Sequence, residues 1–249
     1  MKFKDESVSS ITDLLALLKT QRPLDQPIWF RGQSDLKWKL IPSVARIASA
    51  VSAEFTLIKR FKQNALTFLI NRPATEWDWL FLMQHYGVPT RLLDWTESPL
   101  VALYFAVSEE EHRDKDGAVW CLLPKSLNEN ANYQPEHSLE LPFFDVDEQL
   151  KLYLPDAIAK ERNTKLKPLA AIAVRESPRM VAQLGAFTIT HREQTSIDKV
   201  GDANHIWRLK IPKAAKRVLL NELALFSVNR LSLFPELTSV AESAREIII

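Results

Sequence analysis

Between Gln84 and Thr96 the chain reads QHYGVPTRLLDWT, which brings His85, Arg91, Asp94 and Thr96 within twelve residues. Arginine presents a planar fork of donors that suits a phosphate or a carboxylate, and the free N–H groups opening a following helix suit the same anion. Arg91 with those N–H groups therefore reads as an anion clamp, and Asp94 or His85 would orient the ligand or move a proton. The same segment carries Leu92, Leu93 and Trp95, so a buried structural corner is the competing reading. A second guanidinium, Arg31, ends the apolar run PIWFRG just before Gly32. It either binds an anion or pairs with an internal acid such as Asp94. Further along, RMVAQLGAFTIT carries Arg179, Gln183, Gly185 and Thr188; the Gln183 amide either faces a ligand or caps a strand.

These groups need elements to hold them. Residues 8–20 read as a helix with Ile11, Leu14, Leu15, Leu17 and Leu18 as its apolar face. PIWFRG reads as a short buried strand, and KWKLIPS as a second one stopped by Pro42. A helix over 53–69 is expected to turn Phe55, Ile58, Phe61, Leu66 and Leu69 toward the core. Thr75-Glu76-Trp77-Asp78 has the hydroxyl-x-x-acid form of a helix start, and Gly87 with Pro89 marks that helix's end. Ser98-Pro99 opens the next helix, which runs through LVALYFAVSEEE. Residues 88–97 then connect the two helices. AVWCLL, LAAIAV, AFTIT and HIWRLKIP read as strands, LNELALF and VAESAREII as helices. Residues 125–168 form a Pro-, Asn- and acid-rich excursion with a short helix near 147–162. The expectation is a single α+β domain over residues 1–249, its helical N-terminal half packed on a mixed or antiparallel C-terminal sheet.

Composition removes several function classes. Lys plus Arg number 32 against 31 for Asp plus Glu, so no global field draws the chain to nucleic acid or anionic membranes. The single cysteine, Cys121, allows no internal disulfide and no thiolate zinc cluster, and within AVWCLL it reads as a small core residue. Histidines 85, 112, 137, 191 and 205 lack zinc-ligand spacing, and no metal is expected. No glycine-rich phosphate loop and no Gly-x-Ser-x-Gly elbow is present. The start, MKFKDESVSS, lacks an apolar signal region, and no stretch approaches the ~20 apolar residues of a membrane span. A cytoplasmic protein without membrane contact is the simplest expectation.

Five segments together carry a resemblance: Phe30-Arg31-Gly32, QHYGVPTRLLDWT at 84–96, PLVALYFA at 99–106, QLGAFT at 183–188 and LFPEL at 233–237. In these the chain resembles the FRG domain family of bacterial and phage proteins, named for its aromatic-Arg-Gly motif. It is more loosely similar to the ADP-ribosyltransferase class, which binds NAD through an Arg, a Ser/Thr and a catalytic Glu. That similarity implies Arg31 on the NAD phosphate or ribose and Thr96 as the second motif. The third motif departs, because Gln183 has only Ala182, Leu184 and Gly185 beside it, and Glu176 is the nearest upstream carboxylate. It also implies an ADP-ribosyltransferase-like fold, with NAD as substrate, no required cofactor, and ADP-ribosyl or glycosyl transfer or NAD cleavage as the chemistry.

The leading expectation is one pocket for a nucleotide or other phosphate-bearing ligand. Arg31, Gly32, Gln84, Arg91, Thr96 and Gln183 would bind it, and His85, Asp94 and Glu176 would be its acid–base groups. Two other classes stand beside it. Arg22, Arg31, Lys37, Lys39 and Arg46, interleaved with Trp29 and Trp38, would contact nucleic acid in a protein of phage–host conflict. Alternatively, the Trp-rich first hundred residues would serve a non-enzymatic module that binds a protein partner.

Overall fold

A computed structural model describes residues 5–21, 26–133, 141–161 and 163–245. Arg22 and His137 lie outside the described residues, as do the last residues of the C-terminal helical pattern. In chain order the first elements are β1 (Glu6–Ser7), α1 (Ile11–Gln21), β2 (Trp29–Gln33), α2 (Ser43–Arg46) and α3 (Ala50–Ala65). Next come α4 (Glu76–His85), β3 (Leu92–Thr96), α5 (Pro99–Val107), β4 (Gly117–Leu122) and α6 (Pro124–Asn130). The remainder is α7 (Pro155–Lys160), β5 (Leu169–Ala171), α8 (Pro178–Ala182), β6 (Gly185–Ile189), β7 (Ile206–Ile211), α9 (Lys216–Leu225), α10 (Arg230–Leu233) and α11 (Leu237–Arg245).

The seven strands form one sheet in the order β1-β7-β4-β2-β3-β6-β5. β1 runs parallel to β7 and every other pairing is antiparallel, so the α+β class and the mixed sheet are as expected. The sheet is not confined to the C-terminal half. Its centre is β2 and β3, and β3 occupies the middle of the segment expected to link two helices. The punctuation on either side is as read: Thr75 and Asp78 form a capping box, Gly87 sits at φ 75°, and Ser98 caps α5 with Pro99 in its first turn. What those signals leave open is the path between them. Leu92, Leu93 and Trp95 are buried on alternate faces, and the strand pairs along its whole length with β6, from Leu92↔Ile189 to Thr96↔Gly185.

Three further boundaries differ. KWKLIPS makes no strand, because Asp35 turns the chain: its Oδ1 accepts from the Lys37 N–H at 2.9 Å and its carbonyl from the Trp38 N–H. α3 buries Glu54 and Ile58 and leaves Phe55 42% exposed, and Leu66, in the 3₁₀ turn that follows, is 41% exposed. Ile58 and Phe61 face the core as expected, and Glu54 joins that face as the partner of Arg91. α5 ends at Val107, and residues 110–112 form a separate turn of 3₁₀ helix.

One face of the sheet carries α5, α1 and α9 around Phe30, Val119, Cys121 and Trp207. Other core clusters gather Trp29, Leu93, Trp95 and Trp120, and Trp77, Leu80, Phe144 and Phe187. Six of the seven tryptophans are buried, and only Trp38, at 39%, is exposed. They are core residues rather than a docking surface. Cys121 is buried and its thiol is pushed well up by burial, which removes it as a nucleophile at neutral pH. Among the described residues no helix is long and apolar enough to cross a membrane.

Candidate functional site

Gly32 makes the site possible by letting α5 lie against β2. A methyl there would stand 1.9 Å from the Ala102 carbonyl oxygen and 2.7 Å from the Ala106 nitrogen. The glycine of the FRG tripeptide is thus a packing requirement. Beside it, β2 and β3 share only one register pair, Phe30↔Thr96, whereas β3 and β6 share five. Past that pair the two strands part, and Arg31 enters the opening. Its Nη1 donates to the Asp94 carbonyl oxygen at 2.5 Å, replacing a ladder bond that the divergence removes.

The opening belongs to a cavity of about 760 Å³. Its floor is one face of three adjacent strands, with Phe30 and Gly32, Asp94 and Thr96, and Gly185 and Phe187. α4 supplies one wall through Asp78, Phe81, Gln84 and His85, and residues 174–183 another. Of the nine residues expected from the sequence, Arg31, Gly32, Gln84, His85, Asp94, Thr96, Glu176 and Gln183 line this one cavity.

Arg91 is the exception. It is 3% exposed, its Nε donates to Glu54 Oε1 at 2.9 Å and its Nη2 to the other carboxylate oxygen, and Nη1 bonds the Thr190 carbonyl at 3.0 Å. The anion clamp expected of it is therefore corrected to a sealed ion pair. The physical reason is its place just before β3, at the end away from Thr96, where Glu54 of α3 and the Thr190 carbonyl meet it.

The other residues differ in what they have free. Arg31 is half-buried, forms no ion pair among the described residues, and its Nε is buried without a hydrogen-bond partner. Burial lowers its pKa to about 10, with Asp94 opposing that shift and Arg46 adding to it. Asp94 is the one exposed residue of β3; its Oδ1 accepts from Gln84 Nε2 at 2.5 Å, and Gln84 Oε1 accepts from the Thr90 hydroxyl. That relay fixes the Gln84 amide, so Gln84 positions the carboxylate as much as it faces the cavity. Thr96 Oγ1 accepts from the Ser98 N–H at 3.0 Å and holds the turn into α5. His85 has its pKa lowered by burial and by Arg179, against a smaller pull from Glu236, so the ring is neutral at pH 7. Glu176 stands exposed at the rim, and Gln183 Nε2 donates to the Leu233 carbonyl at 3.0 Å, which ties α8 to α10.

Sequence reasoning did not place Arg72, Phe81, Tyr86, Phe105 and Ser177 in the site. The α4 members carried a signal: 78, 81, 82 and 85 lie on one helical face and all line the cavity. The nucleic-acid set fares less well. Trp29 is buried and cannot stack on a base, and the Arg46 guanidinium donates to the Ile41 carbonyl.

No curated protein and no solved structure matches the chain. Residues 26–115 match the family model of the FRG domain, and the chain carries a domain of that family.

Proposed function

We propose that the cavity binds a phosphate-bearing small molecule, with a nucleotide such as NAD as the candidate ligand and Arg31 as its anchor. The observation that carries this reading is the Arg31 guanidinium, a half-buried cation on the cavity wall with no carboxylate in ion-pair contact. A desolvated cation is costly when its nearest acid, Asp94, acts only from beyond contact distance, and an anionic ligand would supply the missing direct contact. The volume falls within the range of sites for such molecules, and Phe81, Phe105 and Phe187 provide faces for a planar ring. The similarity to ADP-ribosyltransferases draws support from Arg31 and Thr96 lying on one cavity with Glu176 at its rim. On that reading the activity is ADP-ribosyl or glycosyl transfer or NAD cleavage. Asp94, held by Gln84, would stabilise positive charge on a sugar ring, and neutral His85 would accept a proton.

Calorimetric titration of NAD and AMP into wild type and Arg31→Ala tests the reading. Charge-assisted hydrogen bonds contribute roughly 1.5–3 kcal/mol, so the variant should bind about ten- to a hundredfold more weakly. Its thermal unfolding without ligand should stay close to wild type. Equal binding by the two proteins sinks the proposal, and so does a collapse of Arg31→Ala stability with no ligand present.

A further inference from the structure

Arg31 is not alone in lacking an ion-pair contact among the described residues. Arg179, on the wall formed by residues 174–183 of the same cavity, makes no ion pair among the described residues and instead stacks its guanidinium 4.6 Å from the Phe234 ring centroid. Its neighbour Arg175 shows the contrast, since Arg175 pairs with Glu97 at 2.7 Å. Of the three carboxylates on the cavity, Glu176 makes no ion pair among the described residues and the other two accept hydrogen bonds from neutral groups. Asp78 Oδ2 accepts from the Ala74 and Thr75 N–H groups, and Asp94 Oδ1 from Gln84.

The two arginines reach the cavity from different elements, Arg31 from β2 and Arg179 from α8. A methyl at Gly32, next to Arg31, would touch the Phe105 side chain at 2.9 Å. Phe105 meets Phe234 edge to face with centroids 5.8 Å apart, and Phe234 carries Arg179 as well as Arg230, whose guanidinium lies 5.5 Å from its centroid and pairs with Glu242. One cation is thus placed by the strand opening and the other by ring stacking, and Phe105 lines the same cavity. A ligand with one anionic group satisfies only one cation.

We propose that the cavity takes a ligand bearing two anionic groups, one held at Arg31 and the other at Arg179, and that a nucleoside phosphorylated at two separate positions is the class that fits. This rests on the reading of Arg31 as an anion anchor. It makes Arg179 a specificity-determining residue, and the stacking on Phe234 its means of orientation.

The test uses the full chain and two commercially simple probes, adenosine 5′-monophosphate and adenosine 3′,5′-bisphosphate, titrated into wild type, Arg31→Ala, Arg179→Ala and Arg179→Gln. Wild type should prefer the bisphosphate by at least about tenfold, the worth of one charge-assisted contact. Both Arg179 variants should erase that preference while leaving monophosphate affinity within about twofold, and Arg31→Ala should weaken both ligands. A preference that survives in Arg179→Gln, or no preference in wild type, overturns the two-anion site while the anchor stands. Equal weakening of both probes in the Arg179 variants also overturns it, because Arg179 would then only support the cavity wall. Absence of binding by either probe, or indifference to Arg31→Ala, removes the anchor itself.

Discussion

Two arginines near β3 carry the same fork of donors and meet opposite environments. Arg91 has its donors matched by the Glu54 carboxylate and the Thr190 carbonyl in a dry interior. Removing one partner of such a pair strands a buried charge, so Glu54→Ala and Arg91→Ala should each lose about 3–5 kcal/mol. Arg91→Lys should recover little, since an ammonium cannot reproduce the fork. Urea midpoints decide it; losses under about 1 kcal/mol would contradict the buried pair. Arg31 differs in having a carbonyl partner and a cavity. Gly32 beside it has no spare space, and Gly32→Ala should cost at least about 1–3 kcal/mol through the clash with the Ala102 carbonyl. A neutral Gly32→Ala would mean that α5 lies further from β2 than the structure places it.

At the scale of elements, α4 matters because it carries Phe81, Gln84 and His85 to the cavity. Its start is held by the Thr75 hydroxyl, which accepts from the Asp78 N–H at 3.2 Å. Thr75→Ala should cost about 1 kcal/mol, measured as a lower urea midpoint at unchanged slope. The turn leading into β7 contributes a pH dependence. His205 donates from Nε2 to the Ile197 carbonyl at 3.0 Å and accepts at Nδ1 from Asn130 Nδ2 at 3.3 Å. Both contacts suit the neutral ring, and burial lowers its pKa below the ordinary 6.5. His191 is lowered too, by burial and by Arg91 and Arg192. The unfolded chain therefore binds protons that the folded state resists. Stability is whole above about pH 6.5 and declines as pH falls through that value toward the lowered pKa values. Thermal melts between pH 7.5 and 5 should show the decline, and His205→Gln should flatten it; a flat wild-type profile would refute the assignment.

For the whole molecule, the cavity is wider in sequence than the family match. Residues 26–115 supply Arg31, α4, β3 and α5, but residues 174–187 supply the facing wall and β6. β4, which flanks β2, and β6, which flanks β3, both follow residue 115. A fragment of residues 26–115 would leave both central strands with open edges and apolar faces uncovered. Such a fragment should show no cooperative urea transition, and a sharp two-state unfolding would separate folding from the C-terminal strands.

Local chemistry wrote much of this protein into its sequence. Thr75 with Asp78, Gly87 with Pro89 and Ser98 with Pro99 mark helix ends because caps are contacts between residues a few positions apart. The short runs PIWFRG and AVWCLL mark strands by apolar content alone. The site was legible to the same degree: polar groups set among Leu, Trp and Gly between such signals named eight residues that line one cavity. Three decisions were tertiary. β3 became a central strand only by pairing with residues 185–189, some ninety positions away. Glu54 is buried because its partner Arg91, 37 positions away in sequence, is brought beside it. The two arginines of the opening motifs are chemically identical in sequence, and only the fold decides which pairs with a carboxylate and which faces a cavity. A side chain's type is a property of the chain, whereas its counter-ion is set by what folding brings beside it.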